Sequence, residues 1–259
     1  MGRAKDIRVE PIAASDAVRI VRKLHYSGKV VQNSQVHLGV FLDGRCGGAL
    51  QLGPSMDKRK MIGLVAGTEW NEFLELNRLA LADWLPRNSE SRVIAVTMRI
   101  LRRHYPWLKW VVSYADATQC GDGTIYRASG FVLTMIKRNS QIYGFPDGTV
   151  AHKMVFETAR PTPQQRKLRG RLGMQTAPVT KLLRAAGAEQ LEGFQLRYIY
   201  FLQPKERANL TVPELPYDAI REAGATMYKG IRGGSKDSVA ASNQEAEGGA
   251  TPTSPLDDA

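Results

Sequence analysis

The sequence predicts an α/β protein with one core, in which helices flank a mixed central sheet. The 259 residues are 43% hydrophobic, which suits one core with extensions better than two full domains. The elements recognisable in residues 1–158 also do not repeat as strand–helix units. A helix, a hairpin, a strand, a helix and further strands follow one another, and this order is typical of a mixed sheet rather than of a barrel.

Each predicted element has its own local signal. Ser15 can cap a helix, Asp43-Gly44 is typical of a tight hairpin turn, and Gly123 permits a sharp turn before a short helix that Thr124 can cap. Residues 72–82 fit a helix or a strand by composition, and their position after the hairpin favours a strand. The predicted order is helix 15–23, hairpin strands 37–42 and 47–52, strand 72–82, helix 89–105, strand 109–114, helix 123–129, and strands 131–136 and 150–157.

Composition divides the chain into three parts. Residues 1–158 form the predicted core. Residues 159–229 form a basic extension packed back on that core, with a short helix over 179–186 and a strand over 196–202 that is rich in β-branched and aromatic residues. Residues 230–259 are rich in Gly, Ser, Ala, Pro and Asp and hold almost no large apolar side chain, so we expect a disordered tail.

The charge balance favours a polyanionic partner. Lys and Arg outnumber Asp and Glu by 36 to 25, and the formal net charge is +11. Counterion release favours nucleic acid for such a chain, although a basic surface that serves only solubility explains the total equally well. No apolar run is long enough for a membrane span or a signal peptide, so we expect a cytoplasmic protein. Cys46 and Cys120 lack the spacing of a zinc site.

A cluster of cations lies outside the predicted core. The segment 160–174 is polar and is interrupted by proline and glycine, which indicates an arm or a linker. Its cations would hold phosphates of double-stranded DNA without reading the base sequence, and a solvated linker is the alternative. The candidate DNA-binding residues are Arg160, Arg166, Lys167, Arg169 and Arg171.

A second candidate site is the loop that leads into the helix 89–105. Unpaired amides and the positive end of the helix dipole point from such a loop at an anion, which indicates a phosphate-binding site for a cofactor. Ordinary capping by Asn88 or Ser89 is the alternative. Glu90 adds negative charge there, and a glycine-rich loop is missing. The candidate cofactor-binding residues are Arg87, Asn88, Ser89, Ser91 and Arg92.

The candidate catalytic residues follow the apolar strand and the first helix. Polar residues at the end of a buried strand face the crevice of an α/β sheet, which points to Ser113 and Asp116. Tyr126 follows a turn that can return its ring to the same crevice. His25 and Tyr26 end the first helix, where His25 could act as a general base, form a metal site with Asp116, or only neutralise the helix end. The remaining histidines, His37, His104 and His152, fit structural positions.

Several motifs carry a family resemblance. Residues 74–136 resemble the central half of the GNAT acyltransferases, in which a strand, a pyrophosphate-binding loop, a helix and a splayed parallel strand hold an acyl thioester. The runs HYSGK from His25, ELNRL and RNSESR from Glu75, and SYAD and GTIYRASGF from Ser113 together are similar to the Mom family of bacteriophage DNA-modification proteins. This resemblance spans roughly the first 158 residues.

The resemblance implies a GNAT-like enzyme that adds a carbamoylmethyl group to the exocyclic amine of adenine in DNA and so blocks host restriction enzymes. The donor stays open between acyl-CoA and another glycine-like source, and iron is implied for related proteins, with His25 and Asp116 as its candidate ligands. This chain has Cys120-Gly121-Asp122 where a Gly-His pair is often found, so that histidine has no counterpart. The residues that match the family pattern are His25, Tyr26, Ser113, Asp116 and Tyr126 in the crevice, and Arg78 and Ser91 in the strand and loop.

Other functions remain open at this point. An ordinary GNAT N-acetyltransferase would use acetyl-CoA to modify an amine on a hypermodified nucleotide, a protein or a small molecule, and a DNA-binding protein without enzymatic activity is the third possibility. An enzyme that acts on a base must receive it outside the base stack, on an aromatic surface. The candidates for that surface are Tyr26, Trp84, Tyr114 and Tyr143.

Overall fold

The computed structural model describes residues 2–118, 121–157, 163–171, 173, 179–228 and 231–232. Cys120, Arg160 and residues 230 and 233–259 of the predicted tail lie outside these ranges. The described strands are β1 (Arg8–Pro11), β2 (Val36–Leu42), β3 (Arg45–Gly53), β4 (Phe73–Leu81), β5 (Trp110–Asp116), β6 (Val132–Arg138), β7 (Ile142–Gly144), β8 (Val150–His152), β9 (Glu189–Gln190), β10 (Phe194–Phe201), β11 (Met227–Tyr228) and β12 (Ile231–Arg232). The described helices are α1 (Ala14–Leu24), α2 (Lys58–Ile62), α3 (Ser89–His104), α4 (Thr124–Arg127), α5 (Met154–Glu157), α6 (Pro163–Arg171), α7 (Val179–Ala185) and α8 (Asp218–Glu222).

A mixed sheet forms the centre of the molecule. Its strand order in the described residues is β1-β2-β3-β4-β5-β10-β6. The pair β4 and β5 is parallel, and the other neighbouring pairs are antiparallel. The predicted α/β class with a mixed central sheet is confirmed, as is the assignment of residues 72–82 to a strand.

Part of the C-terminal extension lies inside this sheet. β10 pairs with β5 on one side and with β6 on the other. Its residues Leu196 and Tyr198 are fully buried in the same cluster as Val111 of β5. The chain on both sides of residue 158 therefore builds one sheet.

Helices cover both faces of the sheet. Ile94 and Met98 of α3 are buried in the same cluster as Val111 and Ala115, which alternate along β5 with the side chains of the other face. On the opposite face, α1 packs Val21 against β3 and β4. We call these two sides the α3 face and the α1 face.

The tight turns agree with the sequence, but two helix caps do not. Asp43 and Gly44 have φ angles of 51° and 75°, as the hairpin turn requires. The predicted cap Ser15 is wrong, because α1 begins one residue earlier and Ser15 lies inside it. The predicted cap Thr124 is wrong as well, since the capping position is Gly123 and the Thr124 hydroxyl donates to Asp122 Oδ1 at 2.8 Å.

A smaller sheet of order β8-β7-β9 packs with α5, α6 and α7 around buried Phe145, Phe156 and Leu183. The predicted strand 150–157 is shorter than expected, because its second half is the helix α5. The basic segment predicted as an arm contains the helix α6, which begins at Pro163, where the missing amide hydrogen costs nothing. None of the described helices is long and apolar enough to cross a membrane.

Candidate active site

The central sheet is open between β4 and β5. The two strands pair only where Phe73, Leu74 and Glu75 lie beside Trp110, Val111 and Val112. Beyond these three pairs, β4 continues on β3 while β5 continues on β10. Polar side chains at the end of each strand therefore border a gap in the middle of the sheet rather than a continuous ladder.

A β-bulge decides where Arg78 points. The register between β3 and β4 skips Asn77, because Gln51 pairs with Arg78 while the next residue, Leu52, pairs with Leu76. A bulge of one residue reverses the side-chain alternation. Arg78 therefore shares a face with Ala80, which packs against α1, instead of lying beneath α3.

A cavity of about 670 Å³ opens on the α1 face next to this gap. This volume is in the range of small-molecule and cofactor sites. The cavity brings together groups that are far apart in the sequence, namely Tyr26, Ser27, Lys29, Arg78, Asp116, Thr118, Ile142, Gly148, Val150, His152 and Leu191. Of the four aromatic residues considered for base stacking, Tyr26 lies here and keeps 54% of its surface exposed.

His25 adjoins this cavity through Tyr26. The two rings have a centroid separation of 4.3 Å. The Ser27 amide donates to His25 Nδ1 at 3.2 Å, so Nδ1 is an acceptor, and the Ser27 hydroxyl lies 2.8 Å from the same nitrogen. Burial and then the nearby Arg78 cation lower the pKa of His25 to about 4. His25 is therefore a neutral imidazole at physiological pH.

This pKa predicts a pH-dependent stability. The unfolded chain binds a proton at His25 below about pH 6.5, whereas the folded protein does so only near pH 4, so the free energy of unfolding should fall as pH drops through this window. The loss amounts to at most roughly 3 kcal/mol. Chemical denaturation from pH 7.5 to 4 should show a shallower fall for His25→Gln than for the wild type. The lowered pKa would be contradicted if the free energy of unfolding fell equally steeply with pH in wild type and His25→Gln. It would also be contradicted if the exposed His104→Gln flattened this fall as much as His25→Gln.

Asp116 reaches the cavity from the end of β5. Its Oδ1 accepts the Thr118 amide hydrogen at 2.9 Å, which turns the chain out of the sheet. Asp116 is separated from Trp110 and Val112 by an even number of positions along β5. Its side chain therefore points to the same side of the sheet as theirs, which is opposite the α3 face. The predicted meeting of Asp116 with Tyr26 in one crevice is observed.

Tyr126 lies on the α3 face of the gap. Its buried ring packs on Phe131 and Tyr198 at centroid distances of 5.4 and 5.3 Å. Tyr126 does not line the cavity of the α1 face, but its phenol interacts electrostatically with Arg78: burial lowers the pKa of Arg78, while Tyr26, Glu75 and Tyr126 raise it. Tyr126 and Arg78 thus approach the gap from its two faces.

Ser113 lies away from the predicted catalytic group. Ser113 lies two positions from both Val111 and Ala115 on β5, so its side chain points with theirs to the α3 face and away from Asp116. The side chain is fully buried, and among the described residues its Oγ has no hydrogen-bond partner. The expected grouping of Ser113 with Asp116 is wrong. Side chains alternate along a strand, so two residues that are three positions apart point to opposite faces of the sheet.

A second cavity, of about 360 Å³, lies on the α3 face. The end of β4, the start of α3 and the helix α4 enclose it. Asn88 occupies the capping position of α3 in a left-handed conformation, with φ of 69°, and its side chain makes no capping bond. The residues that line the cavity are Leu81, Ala82, Asp83, Leu85, Pro86, Arg87, Asn88, Ser89, Glu90, Ser91, Thr124, Ile125 and Ala128.

Four of the five predicted cofactor-binding residues line this second cavity, and Arg92 does not. The Arg92 guanidinium donates to the Lys5 carbonyl at 3.0 Å, so it is directed to the N-terminal segment. The hydroxyl of Ser89 donates to the Pro86 carbonyl, and that of Ser91 donates to the Asn88 carbonyl at 3.2 Å. Because neither hydroxyl occupies the helix amides, the start of α3 keeps donors for an anion.

The metal site implied by the resemblance has no ligand set in the described part of the chain. No group of three or more His, Cys, Asp or Glu side chains is placed there to hold an ion. His25 directs Nδ1 to Ser27, and Asp116 directs Oδ1 to the Thr118 amide. The described residues therefore do not fit iron, and we derive no step through a metal.

The four described DNA-binding candidates lie on α6. Arg169 donates through Nε to the Val155 carbonyl at 3.1 Å, and Arg171 lies 3.4 Å from Asp147. Arg166 and Lys167 are exposed on α6. Arg166, Lys167 and Arg171 are therefore exposed, while Arg169 is half-buried and directs its Nε to α5.

Sequence reasoning missed two titratable residues of the α1-face cavity, Lys29 and His152. Lys29 was outside every candidate set, and His152 was assigned a structural role. Burial and then Lys29 lower the pKa of His152, while Asp116 and Glu157 raise it. No signal in the sequence separates His152 from His37, because its position in the cavity depends on how the small sheet packs.

Comparison with known proteins identifies the family. The model of the Mom protein family matches residues 6–219. The methylcarbamoylase mom of Escherichia phage Mu is 34% identical over 208 residues, which are 80% of each chain.

Two solved acetyltransferases also resemble the chain. The ribosomal-protein-S18-alanine N-acetyltransferase of Escherichia coli has a TM-score of 0.40 and 10% identity, covering 76% of this chain and 94% of that one. An IAA acetyltransferase of Bacillus cereus has a TM-score of 0.39 and 9% identity, covering 75% and 99%. On the family match over residues 6–219 and the identity with the phage Mu protein, this chain belongs to the Mom protein family.

Proposed function

We propose that this chain is a transferase that adds a carbamoylmethyl group to the exocyclic amine of adenine in DNA. The observation that carries the proposal is the pair of cavities on opposite faces of the central sheet, in a chain 34% identical to a methylcarbamoylase over 80% of its length. Such an arrangement lets a donor and an acceptor meet at the gap from two sides.

The acceptor base would enter from the α1 face. A base in duplex DNA must leave the stack before an enzyme can reach its amine, and an exposed aromatic ring can receive it. Tyr26 supplies that ring in the cavity, and Asp116 supplies a carboxylate beside it. Asp116 would accept the proton that the amine loses as its nitrogen bonds to the transferred group, and the Tyr126 phenol would donate a proton to the donor's leaving group as its bond to that group breaks.

The donor would enter from the α3 face. An acyl-CoA or a related phosphate-bearing donor fits the start of α3, where helix amides and Arg87 face the cavity and Glu90 opposes them. The buried Ser113 hydroxyl, which lacks a partner among the described residues, is a further polar atom on this face. The bound donor supplies the group that is transferred, and the chain orients that donor at the gap.

Contacts with the DNA backbone would come from α6. Two exposed cations, Arg166 and Lys167, lie on this helix next to the small sheet that contributes His152 to the cavity. Contacts of this kind hold the duplex without reading its sequence, which suits protection of DNA as a whole.

Removal of these two cations should weaken the salt dependence of DNA binding. For Arg166→Ala with Lys167→Ala, we expect the slope of log affinity against log salt to become shallower by up to about 0.9 per lost phosphate contact. Fluorescence anisotropy at several salt concentrations measures the slope. The control pair Arg99→Ala with Arg103→Ala removes two exposed cations from α3 and should leave it unchanged. If α6 is only a linker that does not contact DNA, both double variants will show the same slope as the wild type.

Mass spectrometry of nucleosides from cells that express the chain tests the proposed reaction. A carbamoylmethyl adduct of adenine, present only in cells that express the chain, is expected. An acetylated amine on another molecule would instead support an N-acetyltransferase. Unmodified DNA together with retained DNA binding would support a binding protein without this activity.

A further inference from the structure

Two cations line the α1-face cavity side by side. The Arg78 Nε donates to the Lys29 carbonyl at 2.9 Å, and its Nη1 donates to the Asn77 carbonyl at 2.6 Å. Gly28, with φ of 58°, turns the chain directly before Lys29. The fold therefore fixes the Arg78 guanidinium against the backbone of residue 29, three residues beyond Tyr26.

This pair has no salt-bridge partner of its own. In the described part of the chain, neither Lys29 nor Arg78 forms a salt bridge. Loss of water and then the charge of Arg78 lower the pKa of Lys29. Loss of water lowers the pKa of Arg78, against the opposing effects of Tyr26, Glu75 and Tyr126. Asp116 is the carboxylate of the cavity lining, and one of its oxygens accepts the Thr118 amide hydrogen.

Two like charges held together in a partly dehydrated cavity destabilise each other, and an oxyanion between them removes that cost. We propose that Lys29 and Arg78 form a phosphate subsite, which holds the phosphodiester next to the extruded adenine. This inference rests on the proposed function. It adds that the cavity binds the phosphodiester of the substrate as well as the base.

The position of the pair favours DNA over the donor as the source of the phosphate. The donor cavity, with the start of α3, lies on the opposite face of the sheet. Lys29 and Tyr26 belong to one loop, so a nucleotide whose base contacts Tyr26 has its own backbone near Lys29. The neighbouring His25 is neutral at physiological pH and adds no third charge to the pair.

The test combines a charge deletion in the protein with one in the DNA. The full chain is titrated with a short duplex that holds a single adenine, and with the same duplex carrying a neutral methylphosphonate on either side of that adenine. Lys29→Met should weaken binding of the unmodified duplex about tenfold and make the salt slope shallower by about 0.9. One of the two methylphosphonates should weaken duplex binding by the wild-type protein to a similar extent, but should leave duplex binding by Lys29→Met almost unchanged.

Two protein controls accompany this measurement. Lys29→Arg keeps the charge and should bind nearly as wild type, and Lys23→Met removes an exposed charge at the end of α1 and should have no effect. Additive losses for Lys29→Met and both methylphosphonates would overturn the subsite. Coenzyme A is the probe for the other source: weaker coenzyme A binding by Lys29→Met, with DNA affinity intact, would overturn the assignment to DNA.

Adduct analysis of the same cells separates this inference from the proposed reaction. If the wild-type protein forms the adenine adduct but the losses of DNA affinity from Lys29→Met and the methylphosphonates are additive, the subsite is overturned and the proposed reaction stands. Coupled losses without any adenine adduct would support the subsite and overturn the reaction. A wild-type adduct with coupled losses supports both.

Discussion

Replacing Asp116 with asparagine, or Tyr126 with phenylalanine, is expected to lower the rate of adenine modification at least about a hundredfold while DNA affinity stays close to that of the wild type. Both residues border the gap between β4 and β5, Asp116 from the α1 face and Tyr126 from the α3 face. Neither side chain carries positive charge, so neither releases counterions when DNA binds.

Each of these two substitutions keeps contacts that the wild-type side chain makes. In Asp116→Asn the side-chain amide oxygen would still accept the Thr118 amide hydrogen, and in Tyr126→Phe the new ring would still pack on Phe131 and Tyr198. We expect each variant to unfold within about 1 kcal/mol of the wild type. A rate loss with unchanged stability therefore reports on chemistry.

Modification rate, DNA affinity and free energy of unfolding should be measured together for these variants. Asp218→Asn and Tyr105→Phe make the same chemical changes outside the two cavities and serve as controls. Near-normal rates for both Asp116→Asn and Tyr126→Phe would exclude the catalytic assignment. Activity lost together with stability would instead assign the two residues to folding.

Gly123→Ala is expected to destabilise the protein by roughly 2 to 5 kcal/mol and to abolish most of its activity. Gly123 has φ of 81°, where an L side chain is strained. A Cβ at this position would also lie 2.5 Å from Cε2 of the Tyr198 ring. Tyr198 is fully buried and donates to the Asp122 carbonyl at 2.5 Å, so it cannot retreat without losing that bond.

Gly44→Ala is the matched control for this substitution. Gly44 has a similar φ of 75°, but a Cβ there meets nothing within 4 Å. Its cost should be the backbone strain alone, about 1 to 2 kcal/mol. Denaturant titration of the two variants separates the clash from the strain. Equal destabilisation would mean that the ring of Tyr198 yields, and normal activity of Gly123→Ala would mean that the start of α4 does not position Tyr126.

Strong local patterns made most of the elements predictable. The hairpin turn at Asp43 and Gly44 requires positive φ angles, and few residue types accept them. The apolar strand β5 and the helix α3 were also found close to their observed bounds. Helix caps were less predictable, because any of several neighbouring polar residues satisfies the pattern, as the errors at Ser15 and Thr124 show.

The candidate site was predictable in part, because a polar residue after a buried strand lies at the edge of the sheet. This reasoning found Asp116, and the end of the first helix gave Tyr26; both line one cavity. It failed for Ser113, since a cluster of polar residues in the sequence spans both faces of a strand. It also missed His152, whose place in the cavity depends on a separate small sheet.

By itself, the sequence determined the α/β class, the order of the main elements and the resemblance to the Mom family, because local patterns and motifs carry that information. Only the tertiary structure decided that β10 enters the central sheet, that a bulge at Asn77 turns Arg78 towards α1, and that Arg78 meets Lys29 in one cavity. Pairing between distant segments and a one-residue shift of register reverse the direction of side chains without leaving a local pattern in the sequence.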